Sequence, residues 1–240
     1  KMEKYYNINK KLLEYADEAI NELQDTFKKF DENELACSAK VLSTFQKYKV
    51  STEDFVQVDG YGFTDSGRDK LEQMYADIFG AEDALVRPQI MSGTHAIALT
   101  FTGLLKYGDT MISLTGEPYD SLKSIIGLFG DSRNSLIKNG VHYEQIELVN
   151  NDFDIKKIQE RLKNGGVKLV EIQRSRGYSQ RKSLTIEKIE RAIKAIREVN
   201  KDVIIMVDNC YGDFVEDREP TEVGADILVG SMLKNLGGGI

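Results

Sequence analysis

Apolar residues follow two different rhythms along this chain. Between residues 8 and 48 they recur at helical spacing, first as Leu12, Leu13, Ala16, Ile20, Leu23 and Phe27, then as Leu35, Val41, Leu42 and Phe45. That spacing predicts two helices ahead of the main domain, with Asp31-Glu32-Asn33 separating them. A glycine-rich turn at 59–67 and a helix at 68–79 follow. From residue 84 the apolar positions gather into short runs that predict strands at 84–87, 110–114, 143–148, 167–172, 203–207 and 227–230. Amphipathic segments lie between most of them, the clearest carrying Ile186, Ile189, Ala192, Ile193, Ile196 and Val199. Strands alternating with helices imply right-handed crossovers and an α/β fold, a mostly parallel sheet covered by helices on both faces. The organisation expected is an N-terminal helical segment over 1–58 and a main domain over 59–240.

Composition narrows the functions. With 240 residues, 41% hydrophobic and 30% charged, the chain has the make-up of a soluble globular protein. A net charge of -7 argues against a general binder of nucleic acid or of anionic membranes. The one basic cluster, Arg174, Arg176, Arg181 and Lys182, could serve a phosphate or carboxylate. No apolar run spans a bilayer and the start is not a signal sequence, so the cytoplasm is the default location. Cys37 and Cys210 lack any CxxC spacing and read as small buried hydrophobes. His95 and His142 stand in no metal-binding arrangement, and no metal is expected.

Ligands of such sheets gather at the carboxyl ends of strands, and two reactive side chains fall there. Lys234 follows the apolar stretch Ile227-Leu228-Val229 and is a candidate Schiff-base lysine. The run Val203-Ile204-Ile205-Met206-Val207 ends on Asp208. An amine and an acid at adjacent strand ends are the groups that hold pyridoxal phosphate (PLP): the amine condenses with its aldehyde, and the acid keeps its pyridine nitrogen protonated. An Asp in that place also serves as a plain helix cap or turn former. Ser92-Gly93-Thr94 opens a helix running through Leu104, where free amides and two hydroxyls suit a phosphate, although a simple cap needs the same residues. Ser231 can add a donor. Tyr119 can stack on a cofactor ring, with His95 as its rival. No GxGxxG or GKS/GKT loop is present, which argues against dinucleotides and nucleoside triphosphates.

In chain order, GYGFTDSGRDKLEQMYADIFGAE, MSGTHAIA, RSRGYSQRKSL, VDNCYGDF and SMLKNLGGG resemble fold-type I PLP enzymes. Within them the chain resembles the cystathionine-lyase and methionine gamma-lyase group, and there the aluminium-resistance, methionine gamma-lyase-like branch. The resemblance implies that Gly93, Thr94 and Ser231 hold the phosphate, that Tyr119 stacks, that Asp208 meets the pyridine nitrogen and that Lys234 binds the cofactor and shuttles protons. It also implies carbon-sulfur elimination on a sulfur-containing amino acid; an aldolase, an aminotransferase and a non-catalytic PLP-binding metal-stress protein are the alternatives.

Two departures stand out. Tyr61-Gly62-Phe63 replaces a Tyr-Ser-Arg stretch that reaches the neighbouring subunit's phosphate, which leaves Tyr61 to cross over without the arginine. Arg174-Ser175-Arg176 stands where the group has an Asn near the cofactor's phenolic oxygen. The group continues past the lysine into a small domain bearing the arginine for the substrate carboxylate, so the chain is expected to be incomplete at its C-terminus. A homodimer or homotetramer is implied, with the N-terminal helices as candidate contacts.

Overall fold

Long apolar runs in the middle of the chain can be satisfied only by strands buried on both faces, and that is how they fold. The structure, a computed structural model, describes residues 5–58, 61 and 65–237. Its five strands are β1 (Thr110–Ser113), β2 (His142–Gln145), β3 (Val167–Gln173), β4 (Ile204–Asp208) and β5 (Ile227–Val229). They form one sheet in the order β2-β1-β3-β4-β5, and every neighbouring pair is parallel. Parallel strands need crossovers, and these are helical.

Successive residues of each strand point to opposite faces and so feed two cores. On one face Ile112, Val170, Ile172, Ile205 and Val207 pack with α6 (Ile155–Lys163) and α7 (Ile186–Val199) through Ile158, Ile189, Ile193 and Ile196. On the other, Met111, Leu169, Met206 and Val229 meet Ile97 and Phe101 of α4 (Gly93–Leu104) and Leu122 and Ile126 of α5 (Asp120–Ile126). The helices start where local chemistry permits: Asp154 caps α6 by accepting from the Lys157 N–H, and Thr185 caps α7 by accepting from Lys188.

The N-terminal helices differ from the expectation. α1 (Lys10–Glu22) and α2 (Gln24–Lys47) break at Leu23, and Asp31-Glu32-Asn33 lies inside α2. Acidic residues do not stop a helix without a glycine or proline, and Asn33 has a use within it. Its Nδ2 donates to the Phe214 carbonyl oxygen at 2.9 Å, beside a 3.2 Å ion pair from Lys40 to Glu222. The apolar stripe of these helices stays largely uncovered, with Leu12, Phe27, Leu35, Leu42 and Phe45 exposed.

The strand expected at 84–87 is absent; this stretch pairs with no strand. Its Val86 N–H donates instead to Glu72 Oε1 of α3 (Ser66–Phe79) at 2.8 Å. The residue before Pro88 is driven to extended backbone by the proline ring, which mimics a strand signal. Part of the expected turn at 59–67 lies outside the described residues, as do the last glycines of the chain.

Because Ile189 is wholly buried at the contact between α7 and the sheet, Ile189→Ala should destabilise the protein by about 2–5 kcal/mol. Urea unfolding followed by circular dichroism measures this; a loss well under 1 kcal/mol would show that the α7 face is not a packed core.

Candidate functional site

The carboxyl ends of the strands collect most of the singled-out residues. Asp208 closes β4 and is buried, and its Oδ1 accepts the Cys210 N–H at 3.0 Å. Burial raises its pKa, opposed by Cys210 and by the charge of Lys234, which places the amine within electrostatic reach of the carboxylate. Lys234 sits in the turn after β5, its Nζ 4.1 Å from the centre of the Tyr211 ring.

α4 aims its first turn at the same place. Ser92 Oγ accepts the His95 N–H at 3.1 Å, so the cap hydroxyl is engaged, while the amides of the first turn have no acceptor within the helix. Gly93 packs so closely against the neighbouring loops that an added Cβ would stand 2.8 Å from Cys210 Sγ and 3.6 Å from Ser231 Cβ. Only a glycine lets the helix start approach both. Thr94 Oγ1 lies 3.1 Å from Tyr119 Oη and 3.4 Å from Ser121 Oγ, which ties α4 to the start of α5. Burial pushes the Tyr119 phenol up to about 12, with Asp208 and Cys210 adding to it and the Thr94 hydroxyl opposing. The phenol is therefore a neutral donor at ordinary pH.

Gly93, Thr94, Tyr119, Asp208, Ser231 and Lys234 are thus brought to one place, with Cys210 at its floor. His95 Nδ1 accepts the Met91 N–H at 3.2 Å. Tyr61 is exposed, with the residues on either side outside the described ones. The basic cluster does not converge. Arg174 is buried and committed to Glu216 at 2.6 Å and to Asn209 at 2.8 Å, Arg181 donates to the Gln173 carbonyl at 2.7 Å, and Arg176 and Lys182 are exposed. Cys210 is buried as expected, whereas Cys37 is only half-buried.

Sequence reasoning missed the acids around the site. Glu171 lies in the middle of β3 with one oxygen lacking a hydrogen-bond partner among the described residues. Burial first, then the Asp208 charge, push its carboxyl up to about 8. Burial likewise lifts Glu219 to about 7 and Asp213 to about 6. A carboxyl amid the apolar run Val167-Lys168-Leu169-Val170-Glu171-Ile172 was a usable signal, because ionised groups are seldom buried there without reason.

The arrangement fits PLP on its own chemistry: free amides at a helix start with nearby hydroxyls for a phosphate, a buried acid for a ring nitrogen, an aromatic side chain, and an amine. Among the described residues no group of His, Cys, Asp and Glu could hold a metal ion, and no helix is long and apolar enough to cross a membrane.

Comparison with known proteins gives this geometry its context. Residues 12–240 match the family described as methionine gamma-lyase. The chain belongs to that family. It is 48% identical, with a TM-score of 0.94, to a Clostridium acetobutylicum protein provisionally described as a cystathionine beta-lyase involved in aluminum resistance, covering 99% of this chain and 57% of that one. It is 44% identical over 203 residues to YnbB of Bacillus subtilis strain 168, an uncharacterized protein, covering 84% of this chain and 48% of YnbB. MetB from Corynebacterium glutamicum shares the fold at 21% identity and a TM-score of 0.53, over 75% of this chain and 42% of MetB. The fold is that of the fold-type I PLP enzymes, and the chain spans about half the length of the curated relatives it matches.

Buried carboxyls with raised pKa values, Asp208 among them, shape the pH dependence of stability. The folded chain keeps protons on Asp213, Glu219 and Glu171 that the unfolded chain releases near its ordinary values of 3.8 and 4.5. Their contribution is complete below about pH 4 and is lost as pH rises through about 6, 7 and 8 in turn. Carboxyls held low by surface cations, such as Glu144 and Glu190, titrate below this window. Thermal midpoints should therefore fall between about pH 5 and about pH 8.5, and Glu171→Gln should flatten the upper part of that decline. A midpoint that rises over this range would refute the assignment.

Proposed function

We propose that this chain carries the cofactor and proton-transfer machinery of a PLP-dependent carbon-sulfur lyase acting by elimination on a sulfur-containing amino acid. The observation that carries the reading is the convergence of a free helix start at Gly93 and Thr94, the neutral Tyr119 phenol, the buried Asp208 and Lys234 at one edge of a parallel sheet. Membership of the methionine gamma-lyase family and the description of the Clostridium acetobutylicum relative support it.

When bound, PLP supplies an electron sink for the charge left at the substrate α-carbon. The protein does the rest. The amides of Gly93 and Thr94, with the hydroxyl of Ser231, bind phosphate at the positive end of α4. Asp208, desolvated and fixed by the Cys210 N–H, presents its charge to the ring nitrogen and keeps a proton there. Lys234 Nζ holds the cofactor and, as the free amine, takes the proton from the α-carbon. Tyr119 offers its phenolic proton to the departing sulfur, a step that its raised pKa allows because the phenol stays protonated until needed. The uncovered stripe of α1 and α2 supports self-association through that face, and Tyr61 is assigned to the neighbouring copy's phosphate.

The purified protein loaded with PLP should convert cystathionine, cysteine or methionine to a thiol, ammonia and a keto acid. Lys234→Ala should remove the borohydride-reducible visible absorption, and Tyr119→Phe should cut turnover by about 10²-fold or more. Accumulation of the pyridoxamine form without thiol would make the protein an aminotransferase. Absorption retained in Lys234→Ala would move the cofactor to another lysine.

A further inference from the structure

Apart from the Cys210 N–H, the turn after β4, residues 209–215, has no part in the chemistry above, yet it is costly to build. Tyr211 and Phe214 adopt left-handed backbone at φ 66° and 60°, which a residue with a Cβ keeps only where its surroundings enforce it. A buried polar network provides the enforcement. Arg174 donates through one nitrogen to Asn209 Oδ1 and to the Gly212 carbonyl, both at 2.8 Å. The Asn209 amide donates to Asp213 Oδ1 at 2.8 Å and to Glu219 Oε2 at 2.9 Å, and Glu219 Oε1 accepts the Phe214 N–H at 2.8 Å. At Gly212 a Cβ would meet Asn209 Oδ1 at 2.5 Å and Arg174 Cδ at 2.7 Å, so the turn wraps directly over the guanidinium stem.

That rigid turn touches the loop of Lys234 on both sides of the lysine. Before it, Gly230 lies against Asp213, where an added Cβ would stand 2.9 Å from Oδ1, and the Ser231 N–H faces the carboxylate. After it, Asn235 Nδ2 donates to the Asp213 carbonyl oxygen at 2.9 Å. Between these contacts Tyr211 offers its ring face to the Lys234 ammonium.

We propose that Asp213 is a positioning residue for Lys234, clamping the 230–235 loop through Gly230, Ser231 and Asn235 while buried Arg174 and Asn209 hold the clamp in place. This rests on the reading of Lys234 as the residue that captures the cofactor. A carboxylate suits the task because it only accepts, and the groups turned toward it, the Asn209 amide and the Ser231 N–H, donate. An asparagine would set an NH2 against one of those donors. The second carboxylate oxygen is buried with no partner among the described residues, so Asn209 and the loop are the anchors the side chain has there.

The test compares the parent protein with Asp213→Asn and Asn235→Ala. Amide exchange without cofactor, read by mass spectrometry, should quicken about tenfold in the 230–236 segment, the scale of one buried hydrogen bond, while β3 and β4 keep their parent rates. Titration with PLP should show about a tenfold weaker half-saturation of the visible absorption at Lys234. Unchanged exchange of 230–236 in both variants overturns the proposal. If Asp213→Asn quickens exchange everywhere, Asn235→Ala decides, because it removes only the exposed end of the clamp. Should borohydride fix the cofactor to a different lysine in the parent protein, the functional reading fails, and the exchange rates alone judge the clamp.

Discussion

The register of β4 between β3 and β5 is the constraint on which the candidate site depends. Asp208 pairs with Gln173 on one side and with Val229 on the other. It shares the face of Met206, toward α4 and α5, while Val207 faces α7. Because side chains alternate along a strand, a slip of one residue would exchange the two: a valine would reach the site and a carboxylate would enter the α7 core. The apolar cores on the two faces forbid that slip more strongly than any polar contact at the rim.

Around that fixed point the protein tolerates an excess of acid. Asp208, Glu171, Asp213 and Glu219 are all buried, and the cations in reach are Arg174, Arg181 and Lys234. Burial without enough countercharge favours retained protons, which is why all four are raised, Asp213, Glu219 and Glu171 to about 6, 7 and 8. Asp208 is raised by burial as well, although the Cys210 N–H and Lys234 favour its ionised form. The same edge of the sheet therefore gathers acids that differ in how firmly they hold a proton, from Asp213, ionised above about 6, to Glu171, neutral up to about 8.

Much of this was legible in the sequence, and the exceptions have physical causes. The runs around Asp208 and before Lys234 declare buried strands, so the amine and acid could be placed at strand ends from the pattern alone. Ser92, Gly93 and Thr94 were placed by the ordinary grammar of helix starts. What could not be read was pairing between distant segments. Arg174 looked like part of a surface basic patch because its partners, Asn209, Glu216 and Glu219, lie far along the chain. Asn33 looked like a helix breaker because its acceptor, Phe214, is brought near only by folding. The stretch at 84–87 has the composition of a strand but its Val86 N–H is taken by Glu72 of α3, and composition carries no information about such partners.

The strand order has a consequence for how the chain comes together. β3, central in the sheet, separates β1 from β4, so the edge that presents Asp208 cannot form until residues up to Gln173 are in place, and Lys234 joins only after β5. In synthesis α1 and α2 precede the sheet with their apolar stripe uncovered, and the tie from Asn33 to Phe214 must wait until β4 has been made. Synthesis thus runs opposite to assembly. These helices stay uncovered while the sheet forms, and parallel pairings across long crossovers close slowly. This makes α1 and α2 segments that would gain from a chaperone.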